Sequence, residues 1–330
     1  MVGRSVLVSV VAAIVIASCA DDSPPEPAVL LEFPDARPGD IVGLIAIEDG
    51  ETRTIEWADR IDGTIRSLDI DDGDADVTTI ATIEVGTDGE QRGLLGQVMV
   101  DGRRFASWTK PADEAGDFEI VVGEVVGGVD ANIVWSGGRA GGGAIGGVLD
   151  EFDGRILLGL GRNTAWDADT EAGGAFLSIG LDSTIDDHAV ELSVGYTNPW
   201  AFTVTDSGAV WFADNAAGPD PEDPSVDDIE RVGRADRIDD RNDVAPITEP
   251  GRAPTAMIEL PDGRIGICGF LDNELRAYEV VEPAGGGEPT ELARAGTIMA
   301  CLTGAAVFAD GTIVTAAQGP DGETLQILRP

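Results

Sequence analysis

Four stretches of the sequence share one pattern: GRILLG (154–159), SGAVWFAD (207–214), GRIGIC (263–268) and GTIVTA (311–316). In each, a turn glycine precedes a short apolar or β-branched run, which is typical of a buried strand. The stretches recur about every 50 residues, which is the length of one blade in a β-propeller. The pattern therefore predicts a ring of small antiparallel sheets.

Asp-Gly dipeptides punctuate the rest of the chain between similar apolar runs. Glycine accepts the positive φ that tight hairpin turns require, so this dipeptide is a strong hairpin signal. The dipeptides are Asp49-Gly50, Asp62-Gly63, Asp72-Gly73, Asp88-Gly89, Asp101-Gly102, Asp153-Gly154, Asp262-Gly263, Asp310-Gly311 and Asp321-Gly322. Blades of about 40 to 50 residues fit six or seven times into the chain. We predict an all-β fold, a six-bladed β-propeller spanning residues 41–330.

The charge of the chain excludes one class of function. Its 330 residues include 21 Lys and Arg against 61 Asp and Glu, a formal net charge of −40. Such a field repels nucleic acid phosphates, which bind to clustered cations. Hydrophobic residues make up 43% of the chain, which is enough for a folded core. We therefore expect a folded protein that binds no nucleic acid.

The first residues have the pattern of an export signal. Arg4 precedes an apolar run that is too short to span a bilayer, and the run ends in IASC (16–19), which resembles the lipobox of bacterial lipoproteins. We predict a signal peptide over 1–18, a lipidated Cys19 and a flexible linker over 19–40, rich in Pro and Asp at its start. The predicted location is the extracytoplasmic face of the cell envelope. The alternative is a signal peptide cut elsewhere, with Cys19 incidental.

Two further cysteines, Cys268 and Cys301, remain in a compartment that permits disulfides. They form either a disulfide or two buried thiols that act as small hydrophobic side chains. The sequence leaves both possibilities open.

The sequence lacks the residues that several common metal-binding, catalytic and phosphate-binding sites need. The acidic run 69–76 has no EF-hand spacing and is typical of a solvated turn, and one histidine cannot complete a zinc site or a catalytic triad. The glycine-rich run 137–143 lacks the Lys-Ser/Thr ending of a phosphate-binding loop. We therefore predict no metal site from the residues themselves.

Ordered blocks of sequence resemble the soluble quinoprotein glucose/sorbosone dehydrogenase family. The blocks are QRGLLG (91–96) with RFASWT (104–109), GGVL (146–149) with DGRILLGLG (153–161), and YTNPWAF (196–202) with AVWFADN (209–215). The resemblance covers about 41–329. It implies a six-bladed propeller whose members oxidise the C1 hydroxyl of aldoses with pyrroloquinoline quinone (PQQ) and calcium.

The resemblance also implies where the site would lie and where it is altered. The family's catalytic histidine falls at Ala144, and its arginine before Asn-Pro falls at Thr197. A methyl group accepts no proton, so the base of hydride transfer is missing at that position. Gln91 and Asn198 occupy positions that touch cofactor or substrate in relatives, or else they satisfy backbone groups between blades.

Two more residues are candidates for the same site. Arg252 is a candidate cation at the mouth of the propeller, or else a solvated loop residue. His188 would be a replacement base only if its loop reached the top face, and is otherwise an exposed loop residue.

Two functions remain. The first is a propeller that has lost the chemistry and binds a ligand in the envelope. The alternative is an active sugar dehydrogenase with a rearranged site, using PQQ and calcium. The expected partners are the membrane, through the lipid, and a sugar or other small molecule, and we expect a monomer.

Overall fold

The computed structural model describes residues 25–73, 76–88, 91–111, 118–127, 130–140, 145–162, 174–215, 231–235, 245–246, 252–281 and 291–330. These residues form twenty-four strands and no helix, which confirms the all-β prediction. No helix of this part of the chain is long and apolar enough to cross a bilayer.

The strands assemble into six antiparallel sheets of four, and each sheet is one blade. Blade 1 contains β2 (Ile41–Asp49), β3 (Thr52–Asp59), β4 (Thr64–Asp69) and β5 (Thr78–Thr82). Blade 2 contains β6 (Leu94–Val100), β7 (Arg103–Pro111), β8 (Phe118–Val126) and β9 (Asp130–Ala140). Blade 3 contains β10 (Gly146–Phe152), β11 (Arg155–Leu160), β12 (Gly174–Ile179) and β13 (Val190–Tyr196).

The remaining blades follow in chain order, except for one strand. Blade 4 contains β14 (Ala201–Val204), β15 (Val210–Asp214), β16 (Arg231–Arg234) and β17 (Ala245–Pro246). Blade 5 contains β18 (Pro254–Glu259), β19 (Ile265–Gly269), β20 (Glu274–Val281) and β21 (Glu291–Met299). Blade 6 contains β22 (Gly304–Val307), β23 (Ile313–Gln318), β24 (Glu323–Leu328) and β1 (Ala28–Phe33).

The innermost strands β2, β6, β10, β14, β18 and β22 contact one another in sequence around a closed ring. The six-bladed propeller predicted from the repeats is therefore confirmed. Ring closure comes from β1, which pairs antiparallel with β24, so that Ala28 lies opposite Ile327 and Phe33 opposite Glu323. This strand falls within the stretch 19–40 that we predicted as linker, so the propeller begins at Ala28.

The Asp-Gly turns occupy the same place in successive blades. Asp49-Gly50, Asp101-Gly102, Asp153-Gly154, Asp262-Gly263 and Asp310-Gly311 each join a blade's first strand to its second. Blade 4 uses Asp206-Ser207-Gly208 there, and all six glycines have positive φ. These six turns lie at one end of the propeller, which we call the bottom face, whereas Asp62-Gly63 joins β3 to β4 at the other end.

Apolar side chains from neighbouring blades form the core between the sheets. One cluster joins Trp57 and Ile55 of blade 1 to Phe308 and Val314 of blade 6, all of them buried. Each large apolar side chain buried in this way stabilises the fold by roughly 1.5 to 3 kcal/mol. The ring is therefore closed by packing as well as by strand pairing.

A disulfide joins Cys268 in β19 to Cys301, which lies just before β22. The Cα atoms are 5.2 Å apart, and both residues are fully buried. Of the two possibilities that the sequence left open, the structure has the disulfide, and it links blades 5 and 6.

Candidate functional site

A cavity of about 1170 Å³ opens at the end of the propeller opposite the bottom face. Residues that precede or begin the innermost strands line it, among them Gln91, Asn198, Ala253 and Thr303. We call this cavity the funnel and this end the top face. Its position over the propeller axis makes it the candidate functional site.

The turn before β14 is held by one buried carboxylate. Asp214, at the end of β15, accepts hydrogen bonds from the backbone N–H of Thr197 at 3.0 Å and of Asn198 at 2.6 Å. The N–H of Asn215 donates to the carbonyl oxygen of Asn198 at 3.1 Å. These bonds hold Asn198 and Asn215 side by side at the funnel.

Both asparagine side chains have a buried oxygen without a donor. The Nδ2 of Asn215 donates to the carbonyl oxygen of Pro254 at 2.7 Å, which fixes the direction of this amide because only its nitrogen can donate. The Oδ1 atoms of Asn198 and Asn215 accept no hydrogen bond from the described residues. A buried acceptor left unpaired costs about 1 to 3 kcal/mol, so these atoms are suited to a ligand that brings donors. We call Asn198 and Asn215 the amide wall.

Aromatic and hydroxyl side chains lie next to the amide wall. Trp200, only 7% exposed, and Phe270 line the funnel. Thr255 donates to the carbonyl oxygen of Leu302, and Thr303 donates to that of Ile41 at 2.5 Å. Since both hydroxyl protons are used within the protein, the hydroxyl oxygens offer a ligand acceptors rather than donors.

The side of the funnel formed by blade 1 and the segment before it is charged. Arg60 donates to the carbonyl oxygens of Gly39 at 2.6 Å and Arg92 at 3.1 Å, and forms an ion pair with Asp40 at 3.3 Å. Arg66 lies 3.5 Å from Asp59 and 3.3 Å from Asp62. We call Asp40, Asp59 and Asp62 the acidic wall.

The pKa of Asp59 reflects this crowding. Burial raises the pKa of Asp59, and the negative charges of Asp62 and Asp40 raise it further. The N–H of Asp62 and the guanidinium of Arg66 act in the opposite direction but do not outweigh these effects. The local field at the acidic wall is therefore negative.

A second buried carboxylate holds the segment that precedes β2. Glu323, 1% exposed, accepts hydrogen bonds from the N–H groups of Gly39 at 2.9 Å, Asp40 at 3.1 Å and Ile41 at 2.9 Å. Burial raises the pKa of Glu323 to about 7 although these three bonds lower it. Strand β24, which pairs with β1 to close the ring, is thereby connected to the acidic wall.

Gln91 lies at the funnel, where the sequence placed it, but its side chain has a structural partner. Its Oε1 accepts a hydrogen bond from the N–H of Ile145 at 3.2 Å, which links blade 2 to the start of blade 3. Gln91 also has a positive φ of 50°, which is uncommon for a residue other than glycine. The interpretation that it satisfies a backbone group between blades therefore describes Gln91, although it also lines the funnel.

Arg252 is neither a cation at the mouth nor a solvated loop residue. It is 4% exposed and donates to Asp272 at 2.7 Å and to the hydroxyl of Tyr278 at 2.8 Å. It also donates to the carbonyl oxygen of Glu274 at 3.0 Å. The guanidinium is thus used to hold blade 5 together.

The single histidine lies at the wrong end of the molecule for proton transfer in the funnel. His188 is exposed in the connection between β12 and β13. Asp182 of the same connection pairs at 2.8 Å with Arg103, next to the turn Asp101-Gly102 of the bottom face. His188 is therefore an exposed loop residue, as one of the two interpretations had it. Ala144 lies outside the described residues, and Thr197 contributes its backbone N–H to Asp214.

No group of three or more His, Cys, Asp or Glu side chains is arranged to hold a metal ion within the described ranges. Of the acidic run, Asp71 pairs with Arg53 at 2.5 Å, and Asp74 lies outside those ranges.

Asn215 and the acidic wall were not among the site residues predicted from the sequence. Asn215 is the last residue of the block AVWFADN (209–215), which was quoted for the resemblance without a role for this residue. Asp59 ends β3, and Asp40 and Asp62 lie in the segments next to blade 1, so their meeting at the funnel depends on the folded blade, which no local pattern reveals.

No family model and no curated protein matches the chain. Solved structures do match. A putative oxidoreductase (glucose dehydrogenase) from Thermus thermophilus has 18% identity and a TM-score of 0.66, covering 92% of this chain and 99% of its own. The PQQ-bound aldose sugar dehydrogenase of Streptomyces coelicolor has 14% identity and a TM-score of 0.60, covering 93% and 99%.

The holo PQQ domain of the pyranose dehydrogenase from Coprinopsis cinerea has 11% identity and a TM-score of 0.62, covering 92% and 97%. At these identities the likeness establishes the fold alone. The chain is therefore a six-bladed propeller similar in structure to PQQ-dependent sugar dehydrogenases.

Proposed function

We propose that this protein is a lipid-anchored envelope protein that binds a saccharide in its funnel and does not oxidise it. The observation that carries the proposal is the pair of buried amide oxygens without donors at Asn198 and Asn215, beside Trp200. Sugar hydroxyls supply the donors that these oxygens need. Phe270, which is only partly buried and lines the funnel, offers an apolar surface for one face of a pyranose ring.

The residues of the funnel support binding better than oxidation. Hydride transfer from a C1 hydroxyl needs a base at the site, and the single histidine lies on the bottom face. PQQ carries three carboxylates and would need cations. Of the three guanidinium groups in the described lining, those of Arg60 and Arg66 pair with carboxylates, which leaves Arg37 to face three carboxylates of the cofactor. Arg252 is buried in blade 5. The described residues therefore do not fit this cofactor.

The alternative is an active sugar dehydrogenase with a rearranged site. Two observations favour it: Gln91 and Asn198 both line the funnel, and PQQ-bound enzymes have this fold. In such a site Asp59, whose pKa is raised by burial, would replace the histidine as base. The alternative must still place an anionic cofactor next to the acidic wall, which is electrostatically unfavourable.

One experiment distinguishes saccharide binding without oxidation from PQQ-dependent sugar oxidation. The purified protein is incubated with PQQ and Ca²⁺ and mixed with aldoses and a redox dye, while PQQ binding is followed by calorimetry. We expect no dye reduction above the sugar-free control and no PQQ binding. Turnover that depends on both PQQ and sugar would overturn the proposal, and a soluble PQQ sugar dehydrogenase is the positive control.

The lipid anchor is a separate part of the proposal. Ala28 lies at the bottom end of β1 and Phe33 at the funnel end, so a tether that precedes Ala28 leaves from the bottom face. An anchored protein would hold its funnel away from the membrane. We expect Cys19→Ala to move the protein from the membrane fraction to the soluble fraction. Membrane retention of that variant would contradict the anchor without touching the binding proposal.

A further inference from the structure

The funnel has two chemically different walls on opposite sides of the propeller axis. The acidic wall belongs to blade 1 and the segment before it, whereas the amide wall belongs to blade 4. Because the blades follow one another around a closed ring of six, blade 4 lies three positions from blade 1 in either direction. A ligand that uses both walls must therefore extend across the mouth.

Charge at the funnel is unbalanced. Its described lining contains five carboxylates and three guanidinium groups: Glu32, Asp35, Asp40, Asp59 and Asp62 against Arg37, Arg60 and Arg66. Arg66 is shared between two carboxylates, so one negative charge of the blade 1 loop is not neutralised by it. The raised pKa of Asp59 agrees with this excess. A cation is therefore favoured at this wall and an anion is disfavoured.

The amide wall independently calls for donors. Asn198 is 6% exposed, and its Oδ1 has no hydrogen-bond partner among the described residues. The same holds for the buried Oδ1 of Asn215. Hydroxyl or ammonium groups satisfy such oxygens, whereas carboxylates and quinone oxygens cannot.

We propose that the ligand is an oligosaccharide carrying at least one amino sugar, with its hydroxyls on the amide wall and its ammonium group at the acidic wall. This inference rests on the proposed saccharide binding and adds the charge of the ligand to it. A cavity of about 1170 Å³ is larger than most small-molecule sites, which suits more than one sugar ring.

An organic cation fits the acidic wall better than a metal ion does. The described residues contain no cluster of three or more side chains placed to ligate a metal. Arg60 and Arg66 also lie among the carboxylates and would repel a divalent ion more strongly than a single ammonium group. The three directed N–H donors of an ammonium group can reach carboxylates that do not converge on one point.

The experiment compares three β-1,4-linked disaccharides of the same shape by calorimetry. They are the disaccharide of glucosamine, which is cationic at pH 6.5, cellobiose, which is neutral, and the disaccharide of N-acetylglucosamine, whose nitrogen carries no charge. We expect the glucosamine disaccharide to bind about five to ten times more tightly than cellobiose at low ionic strength. The preference should shrink in high salt.

Variants show which carboxylates cause the preference for the cationic disaccharide. Asp62→Asn removes one charge of the acidic wall at an exposed side chain and should reduce the preference for the cationic disaccharide to about twofold or less, as expected for one lost charge pair. Asp153→Asn removes the same charge from the bottom face, at a positive φ that asparagine tolerates, and should leave the preference intact.

The outcomes are distinct. Equal or tighter binding of cellobiose would overturn the inference and leave saccharide binding standing. Binding of none of the three would overturn both. If the preference for the glucosamine disaccharide over cellobiose persists in Asp62→Asn and in the double variant Asp59→Asn with Asp62→Asn, the acidic wall does not bind the ammonium group.

Discussion

At the scale of single residues, the site depends on buried carboxylates that hold backbone rather than ligand. Asp214 is 5% exposed and receives the N–H groups of Thr197 and Asn198. Asp214 is the last residue of β15, and from the sequence alone an acidic residue at the end of a strand would be expected to be exposed. The resemblance pointed to Asn198, but it could not show that Asp214 places it.

We expect Asp214→Asn to weaken saccharide binding although Asp214 is not proposed to touch the ligand. The NH2 group of the new amide is a donor and lies opposite backbone N–H groups, which are also donors, so one of these groups loses its acceptor. We expect this to lower the free energy of unfolding by about 1 to 3 kcal/mol. Calorimetry and denaturant unfolding measure the two effects. The control is Asp206→Asn, an exposed residue at the opposite end of the same blade. Full affinity in Asp214→Asn would show that the turn does not need this carboxylate.

Glu323 gives the protein a pH dependence of known sign. Its pKa is about 7 in the folded protein against an ordinary value of 4.5, so the folded state binds the proton more readily than the unfolded state. Its contribution to stability is therefore fully present below pH 4.5 and is lost as the pH rises through 7.

The variant Glu323→Gln isolates this contribution. The difference in unfolding free energy between the wild type and the variant should fall by roughly 3 kcal/mol between about pH 4.5 and pH 8. Denaturant melts at several pH values measure it, with the exposed Glu51→Gln as control. A difference that stays constant, or that grows with pH, would contradict the raised pKa.

At the scale of elements, the turns were predictable and the ring closure was not. An Asp-Gly dipeptide lies between the first two strands of five blades because positive φ at the glycine closes each hairpin. In contrast, β1 pairs with β24 across almost the whole chain, so its sequence neighbours carry no sign of its partner. A polar, proline-rich stretch before it made the whole segment look like a linker.

The disulfide between β19 and the segment before β22 should stabilise the closed ring. Its cysteines are 33 residues apart in sequence, for which the chain-entropy model gives roughly 3 to 4 kcal/mol. We expect a variant with both Cys268→Ser and Cys301→Ser to unfold at lower denaturant, and wild-type protein with reductant to behave like it. Reductant should not affect the variant itself. Unchanged unfolding of the reduced wild type would show that the bond adds nothing.

At the scale of the whole molecule, the chemistry of the funnel arises from parts that are distant in sequence. Blade 4 supplies the amide wall, blade 1 the acidic wall, and the ring-closing segment the backbone held by Glu323. Gln91 and Asn198 could be placed at the funnel from the order of the sequence blocks. The burial of Arg252 could not, because its ion pair with Asp272 forms only when blade 5 folds.

The net charge of −40 acts on the whole molecule in the same direction as the acidic wall. It attracts cations to the top face and disfavours a cofactor with three carboxylates. The charge alone predicts that the protein binds no nucleic acid, but it gives no location for a ligand. The location depends on the unpaired amide oxygens, which are visible only in the folded chain.

Binding of the ligand by the amide wall is tested most simply by a calorimetric titration of the glucosamine disaccharide into the wild type and into Asn198→Ala. We expect saturable binding to the wild type and at least a tenfold weaker affinity for the variant, since one lost hydrogen bond to a buried acceptor is worth about 1.4 kcal/mol or more. Stability should change little, because the removed oxygen has no partner among the described residues. Equal affinity of the two proteins would show that the amide wall does not bind the ligand.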